Sequence, residues 1–454
     1  MTVSRPQLQD SPPAAPGSAG RLRRALPLLV ILAVGLAIRI IPVLVGHHFK
    51  PAGDALFYHL EANFLVEGRG WSNPLQVLAG HRGTPTAAFP PLFTLVLSVS
   101  SLVGFKSFFA HRIWSGVVGT VGVALAAGLG RSISGRKAAL WAAGLAAVYP
   151  NLWMSNNLAL SETISPVLVL GLLWAGYAFW KSPSVKRALL LGVVLGLAIL
   201  GRDELLLLGP LAVLPLALGR RRSWPDRGRF LASAVLASGL VVGPWVGYNL
   251  SRFQDPVFVS DGLGVTLASA NCNQTWYGPD AGYWSLPCAA AVPYKQTVDE
   301  SVQGAEAQSF ALHYIGTHLG GLPRIEAIRL GRAFGVYRPI QQIDLDVFIE
   351  GRPRVWAFAG LGMYYCLVPL AIAGAVVLRR RGLPLYPVLA VLADVVVSVL
   401  LTFGQTRYRS TLEPVLVVLA AVAIAGWRRK GRTVTGAPGE ETAGVLVLDG
   451  AAPS

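Results

Sequence analysis

Ala25-Leu-Pro-Leu-Leu-Val-Ile-Leu-Ala-Val-Gly-Leu-Ala-Ile-Arg-Ile-Ile-Pro-Val-Leu-Val-Gly46 is one apolar run interrupted only by Arg39, and Pro51-Ala-Gly-Asp54-Ala-Leu-Phe-Tyr58-His59 follows it closely. As a helix, the run is long enough to cross the roughly 30 Å hydrocarbon core of a bilayer. The segment after it is unusual for a connection. It holds a carboxylate at a membrane surface, beside a tyrosine and a histidine, ahead of the glycine-rich stretch Glu67-Gly-Arg-Gly-Trp71. That placement suits chemistry on a lipid-borne substrate better than passage through a pore.

Similar runs recur as far as Trp427, and composition agrees: 53% of residues are hydrophobic and 14% charged, with mean hydropathy +0.52. A soluble globule carries about 25% charged residues. The chain therefore reads as an all-α polytopic membrane protein. Its net charge of +16 does not point to nucleic acid. The surplus sits in short clusters between apolar runs: Arg21/Arg23/Arg24, Arg131/Arg136/Lys137, Lys181/Lys186/Arg187, Arg220–Arg222, Arg379–Arg381 and Arg428–Lys430. Such clusters mark cytoplasmic loops.

Candidate spans are roughly 25–46, 111–130, 138–155, 163–180, 188–201, 205–219, 230–248, 354–378, 384–403 and 412–427. The run Leu92–Val103, bounded by Pro90-Pro91 and Gly104, is short for a span. Counting it would place several basic clusters outside; reading it as a helix in the outer leaflet keeps every cluster inside. About ten spans follow, with both termini cytoplasmic. The expected organisation is a disordered tail over 1–20, a catalytic membrane module over 21–248 with a first outer loop at 47–110, an extracytoplasmic loop or lid at 249–353, membrane helices over 354–430, and a second disordered tail over 431–454. No cleavable signal is evident.

With that topology, the ionisable residues that basic-loop signalling does not explain collect on the outer face. Asp54 is a solvated carboxylate at a span exit or a general base for an acceptor hydroxyl, with Tyr58 and Glu61 on a similar helical face. Glu162 caps the start of the fourth span or serves as a second functional acid. Arg202 and the turn Arg407-Tyr408-Arg409 oppose the positive-inside trend; they snorkel to head groups or neutralise a phosphate. His59 orients Asp54 or is an interfacial histidine. Asp203 and Glu204 pair locally with Arg202. The histidines, His47, His48, His81 and His111 among them, show no metal-ligand spacing, and no phosphate-binding glycine loop is present. Cys272 and Cys288 share the large loop, where a disulfide is expected if that loop is extracytoplasmic; Cys366 lies in a span. The aromatic part of this loop, Asp261 to Trp284, suits stacking on sugar rings or packing at the membrane surface. A helical part is expected from about Tyr294 to Arg332.

These segments together resemble the polyprenyl-phosphate-sugar-dependent glycosyltransferases of the GT-C fold, relatives of protein O-mannosyltransferases and of the lipid A aminoarabinose transferase. The resemblance rests on Gly53-Asp54, Tyr58-His59, Glu67-Gly68 and Gly70-Trp71, then Phe89-Pro90-Pro91-Leu92, His111-Arg112, Ser161-Glu162-Thr163 and Gly201-Arg202-Asp203-Glu204. It continues through Pro244-Trp245, Tyr248-Asn249, Asp261 to Gly264 and Ala270-Asn271 to Gln405-Thr406-Arg407-Tyr408-Arg409 and Glu413-Pro414. It implies a GT-C architecture with a long first outer loop and a larger mixed outer loop. It also implies Asp54 as catalytic base with Glu162 as a second acid, and Arg202, Arg407 and Arg409 on the donor phosphate. Tyr58, His59, Asn271 and Tyr408 are candidate substrate contacts. Ala55 stands where the protein mannosyltransferases carry a second acidic residue, and Phe89 replaces the family's histidine.

The expected function is inverting transfer of a sugar from a polyprenyl-phosphate donor to an extracytoplasmic glycan, glycolipid or protein. No cofactor, no metal and no nucleic acid is expected. The expected location is the inner or plasma membrane, among membrane lipids, with the site facing outward. A transporter or flippase of lipid-linked sugars and a non-catalytic membrane scaffold are the competing readings.

Overall fold

The computed structural model of the protein describes residues 18–46, 48–80, 82–219, 222–294 and 299–427. Most of both expected tails, with His47, His81, Arg220, Arg221 and Arg428–Lys430, lies outside the described residues. Within 1–20 the reading needs one correction, because the first helix, Ser18–Val45, begins inside that stretch.

The described chain is helical, and its one β-bridge joins Ser72 to Pro85. Among the described residues, five stretches are long and apolar enough to cross a membrane: Arg23–Val45, Phe108–Ser134, Ser161–Lys181, Trp224–Leu250 and Arg354–Arg380. The other candidate spans also fall on helical segments, which are shorter or broken. Gly209-Pro210 and Pro215 divide the 205–219 run into a 3-10 turn (Asp203–Leu207), a π turn (Gly209–Val213) and one α turn (Leu214–Ala217), since proline cannot donate the helical backbone bond. Leu92–Leu102 is a separate helix.

Glu413–Trp427 is apolar on every side, and Val415, Val417, Val418, Ala420, Ala421 and Val422 are all buried. A helix of that composition belongs inside a bundle, and it packs against Arg354–Arg380, Arg136–Val148 and Phe108–Ser134. Its approach to Arg354–Arg380 depends on Gly374, where an added Cβ would lie 1.9 Å from the Leu419 carbonyl oxygen. Small residues at such crossings let membrane helices close on one another.

Among its described residues, the large loop contains six α-helices, Leu263–Ala270, Asn273–Tyr277, Leu286–Ala290, Glu300–Thr317, Leu322–Ala333 and Pro339–Glu350, and a 3-10 turn, Leu319–Gly321. The expected helical part is two helices, parted at His318–Gly321. Cys272 and Cys288 are joined by a disulfide. Trp276 is fully buried in this loop, as is Tyr283, whereas Tyr277 is exposed. Hydrogen bonds tie the loop to its neighbours. The Glu300 carboxylate accepts from Asn73 Nδ2 (2.5 Å) and Thr86 Oγ1 (2.7 Å) of the first loop, Arg252 donates to the Thr86 and Trp71 carbonyls, and Gly404 N donates to Gly282 O.

Candidate active site

Four breaks between apolar runs meet at the end of the bundle that carries the long loops. Asp54 lies in the first turn of helix Gly53–Val66. Glu162 lies in the 3-10 turn Ser161–Thr163, Arg202 caps Val185–Gly201, and Arg407 lies in the turn Thr406–Thr411. Their charges form one chain. Arg407 donates through Nη1 to Asp54 Oδ2 (2.9 Å) and through Nε to Glu162 Oε1 (2.7 Å). The same Glu162 oxygen accepts from Arg202 Nη1 at 2.7 Å, and Arg202 Nε reaches Glu204 Oε1 at 2.5 Å.

Exposure is least in the middle of this chain and greatest at Asp54. The Glu162 side chain is 2% exposed, Arg202 9%, Arg407 20% and Asp54 31%. The most exposed acid of the chain is therefore Asp54. Glu162 is the buried hub, and its Oε2 meets no hydrogen-bond partner among the described residues. A carboxylate held on two guanidiniums is a fixed counter-charge, suited to aligning arginines and ill placed to exchange protons.

Tyr58, one turn beyond Asp54, is buried with its ring against Phe89 and Phe93, at centroid distances of 4.8 and 5.0 Å. Burial, then the Asp54 charge, pushes its hydroxyl well above the ordinary tyrosine range, against a smaller opposing effect of Ser161. It is a neutral wall of the site. His59 instead pairs through Nδ1 with His111 Nδ1 at 3.1 Å and meets the edge of Phe108. Burial lowers its pKa, so it stays neutral. It buttresses two helices and does not reach Asp54.

Two further candidates also lie apart from this cluster. The turn divides Arg407 from Arg409, which is 2% exposed and turned inward. Arg409 Nε binds Glu413 Oε1 at 3.0 Å, its Nη1 donates to Ala333 O at 2.9 Å, and its guanidinium lies 3.9 Å from the Tyr364 ring centroid. Tyr149 and Asn151 hold the same Glu413 carboxylate. The expectation that Arg409 binds donor phosphate is corrected on this ground: every strong contact it makes is internal. Asn271 is likewise corrected as a substrate contact. It is fully buried, its amide donates to Leu267 O, and its Oδ1 accepts from Trp276 Nε1 and Arg329 Nη2. Tyr408 packs edge-on to Phe403 at 5.3 Å beside the cluster.

Sequence reasoning missed the far side of the Arg407 turn. Gln405 Nε2 donates to Glu350 Oε1 (2.6 Å), Arg352 Nε to Glu350 Oε2 (2.5 Å), and Thr406 Oγ1 to Asp346 Oδ2 (2.5 Å). Gln405 alone carried a signal, through its place beside Arg407. Among the described residues, no group of three His, Cys, Asp or Glu side chains has the arrangement of a metal site.

The model of the dolichyl-phosphate-mannose-protein mannosyltransferase family matches residues 88–248, which include Glu162 and Arg202. No curated protein sequence matches the chain. Among solved structures, the chain is similar to the oligosaccharyltransferase of Archaeoglobus fulgidus crystallised with a tethered acceptor peptide, with TM-score 0.51 and 14% identity over 90% of this chain. It spans 50% of that longer protein. It is also similar to ArnT from Cupriavidus metallidurans bound to undecaprenyl phosphate, with TM-score 0.41 and 14% identity over 92% of this chain and 79% of that one. The chain is thus a polytopic membrane protein of the GT-C fold.

Proposed function

We propose that the protein is an inverting glycosyltransferase that moves a sugar from a polyprenyl-phosphate donor to a hydroxyl-bearing glycan, glycolipid or protein at the outer face of the inner or plasma membrane. The observation that carries this reading is the ion chain, in which the buried Glu162 holds two arginines and the most exposed carboxylate, Asp54, stands at one end. Asp54 takes the acceptor's proton as the acceptor oxygen bonds to the anomeric carbon. The bond from that carbon to the phosphate oxygen breaks on the opposite face, and polyprenyl phosphate leaves with the bonding pair. Arg407 is the cation placed to meet the developing phosphate charge, with Arg202 behind it on the shared Glu162. In the free protein Arg407 rests on Asp54, so donor phosphate recruits Arg407 and releases the base in one exchange. Arginine supplies the positive charge, and the proposal includes no metal or other cofactor.

The test incubates purified wild type and Asp54→Asn with polyprenyl-phosphate mannose, arabinose, galactosamine or glucose and cell-envelope extract, and follows transfer by mass spectrometry. Transfer from one donor by wild type, with at least a hundredfold loss in Asp54→Asn, is the expected result. Donor binding without transfer by either protein would favour a lipid-linked-sugar transporter.

A further inference from the structure

The turn that presents Arg407 is held from behind by a helix that takes no part in the ion chain. Pro339–Glu350 buries Gln342, Ile343 and Asp346 on one face and exposes Ile340 and Phe348 on the other. Its last residue continues the buried face, with the Glu350 side chain 4% exposed. Gly351 follows at φ +69°, a conformation that favours glycine, and turns the chain so that Arg352 folds back onto Glu350. Both oxygens of Glu350 are occupied, one by Arg352 Nε and one by Gln405 Nε2. The next residue, Thr406, donates to Asp346 and accepts from Arg352 Nη1 at 3.3 Å. Thus the two residues immediately before Arg407 are each tied to this helix and the bend after it. A narrow cleft lies beside these bonds, lined by Asn151, Gln342, Asp346, Arg352, Thr406 and Arg409. The turn is therefore held from behind by side-chain hydrogen bonds.

Resting on the glycosyltransferase reading for its catalytic consequence, we propose that Glu350 is a positioning residue that, through Gln405 and Arg352, sets the Arg407 turn against Asp54 and Glu162. No hydrogen bond or ion pair joins Glu350 to the ion chain among the described residues; its bonds reach Arg407 through the turn. The groups facing it are Arg352, Arg407, Asp346, Glu162 and Tyr283. Burial raises its carboxyl to about 7, against the opposing pull of Arg352 and Arg407. Above that pH the anchor is ionised and complete. Below it Arg352 loses its counter-charge and the turn loosens.

The test uses the full chain in detergent micelles with Glu350→Gln and Gln405→Ala. It measures hydrogen–deuterium exchange of residues 404–411 and sugar transfer from polyprenyl-phosphate donors. Both variants are expected to speed exchange in that turn by about tenfold and leave Leu263–Ala270 and Glu300–Thr317 unchanged. The double variant adds little, because both substitutions cut one linkage. Transfer falls about tenfold, and the loss of wild-type rate on acidification through about pH 7 disappears in Glu350→Gln. Unchanged exchange in the turn overturns the proposal, as does uniform loosening of the whole loop. If wild type transfers no sugar, the glycosyltransferase reading fails alone, and the exchange measurement still decides the anchor.

Discussion

Two acids of the ion chain separate when each is made neutral. Glu162 Oε1 accepts two guanidinium hydrogen bonds of 2.7 Å on a side chain 2% exposed. A charge-assisted bond contributes about 1.5–3 kcal/mol and a neutral one about 0.5–1.5. Glu162→Gln therefore gives up about 1–1.5 kcal/mol at each bond. It also leaves Arg202 and Arg407 facing each other across a neutral amide, bringing the destabilisation to about 2–4 kcal/mol. Asp54 makes one ion pair among the described residues, to Arg407, on a side chain 31% exposed. Screening by solvent limits that pair to about 0–1 kcal/mol, yet losing a general base costs about a hundredfold to ten-thousandfold in rate. Thermal unfolding in detergent and transfer by mass spectrometry, run on both variants, check the contrast: Glu162→Gln melts early, while Asp54→Asn melts like wild type and transfers at least a hundredfold more slowly. An Asp54→Asn protein that melts as early as Glu162→Gln, or that transfers sugar within tenfold of the wild-type rate, refutes the division of roles.

Arg409→Ala leaves Glu413, 2% exposed, without its buried partner; it should cost about 3–5 kcal/mol in thermal unfolding, while the folded fraction keeps its donor affinity. Reducing the bond between Cys272 and Cys288, which are 16 residues apart, should lower stability by about 3 kcal/mol, read from melting with and without reductant. Asp261 is raised to about 7 by burial and then by Glu300, so the folded protein holds a proton there that the unfolded chain releases near pH 4. Stability from this site is complete below about pH 4 and is lost as pH rises through about 7; Asp261→Asn should flatten the fall in melting temperature across that window.

Asp54, Glu162, Arg202 and Arg407 were legible because each interrupts apolar sequence, and because the parity of the spans assigns all four breaks to one side. Helix geometry also contains the fate of His59. At about 100° per residue, Tyr58 lies about 40° from Asp54 around the helix, whereas His59 lies about 140° away, toward His111. Arg407 and Arg409 were harder to tell apart, since both share one turn. Glu413, four residues past Arg409, offered a local clue, but Tyr149 and Tyr364 come from remote helices. The anchor at Glu350 was invisible for a related reason. It meets Gln405 across 55 residues of sequence, and no local pattern marks a contact of that range. Likewise, Trp276 and Asn271 satisfy each other inside the loop, so an aromatic and an amide that looked like sugar contacts are interior packing.

The ion chain has a consequence for donor binding. Three carboxylates, Asp54, Glu162 and Glu204, share two arginines, Arg202 and Arg407. A donor phosphate arriving at Arg407 adds negative charge where acid is already in excess, and it must displace a carboxylate to bind. Glu162 is buried on two arginines, so Asp54, with one pair and the greatest exposure, is the acid that yields. Asp54→Asn removes the competitor and keeps the shape. The variant should therefore bind polyprenyl-phosphate sugar more tightly than wild type while failing to turn it over, by about twofold to fivefold for a pair of up to about 1 kcal/mol. Equilibrium binding of a radiolabelled donor to both proteins measures this directly. Weaker binding by Asp54→Asn would mean that the donor phosphate does not compete for Arg407, and the coupled release of the base would fall with it.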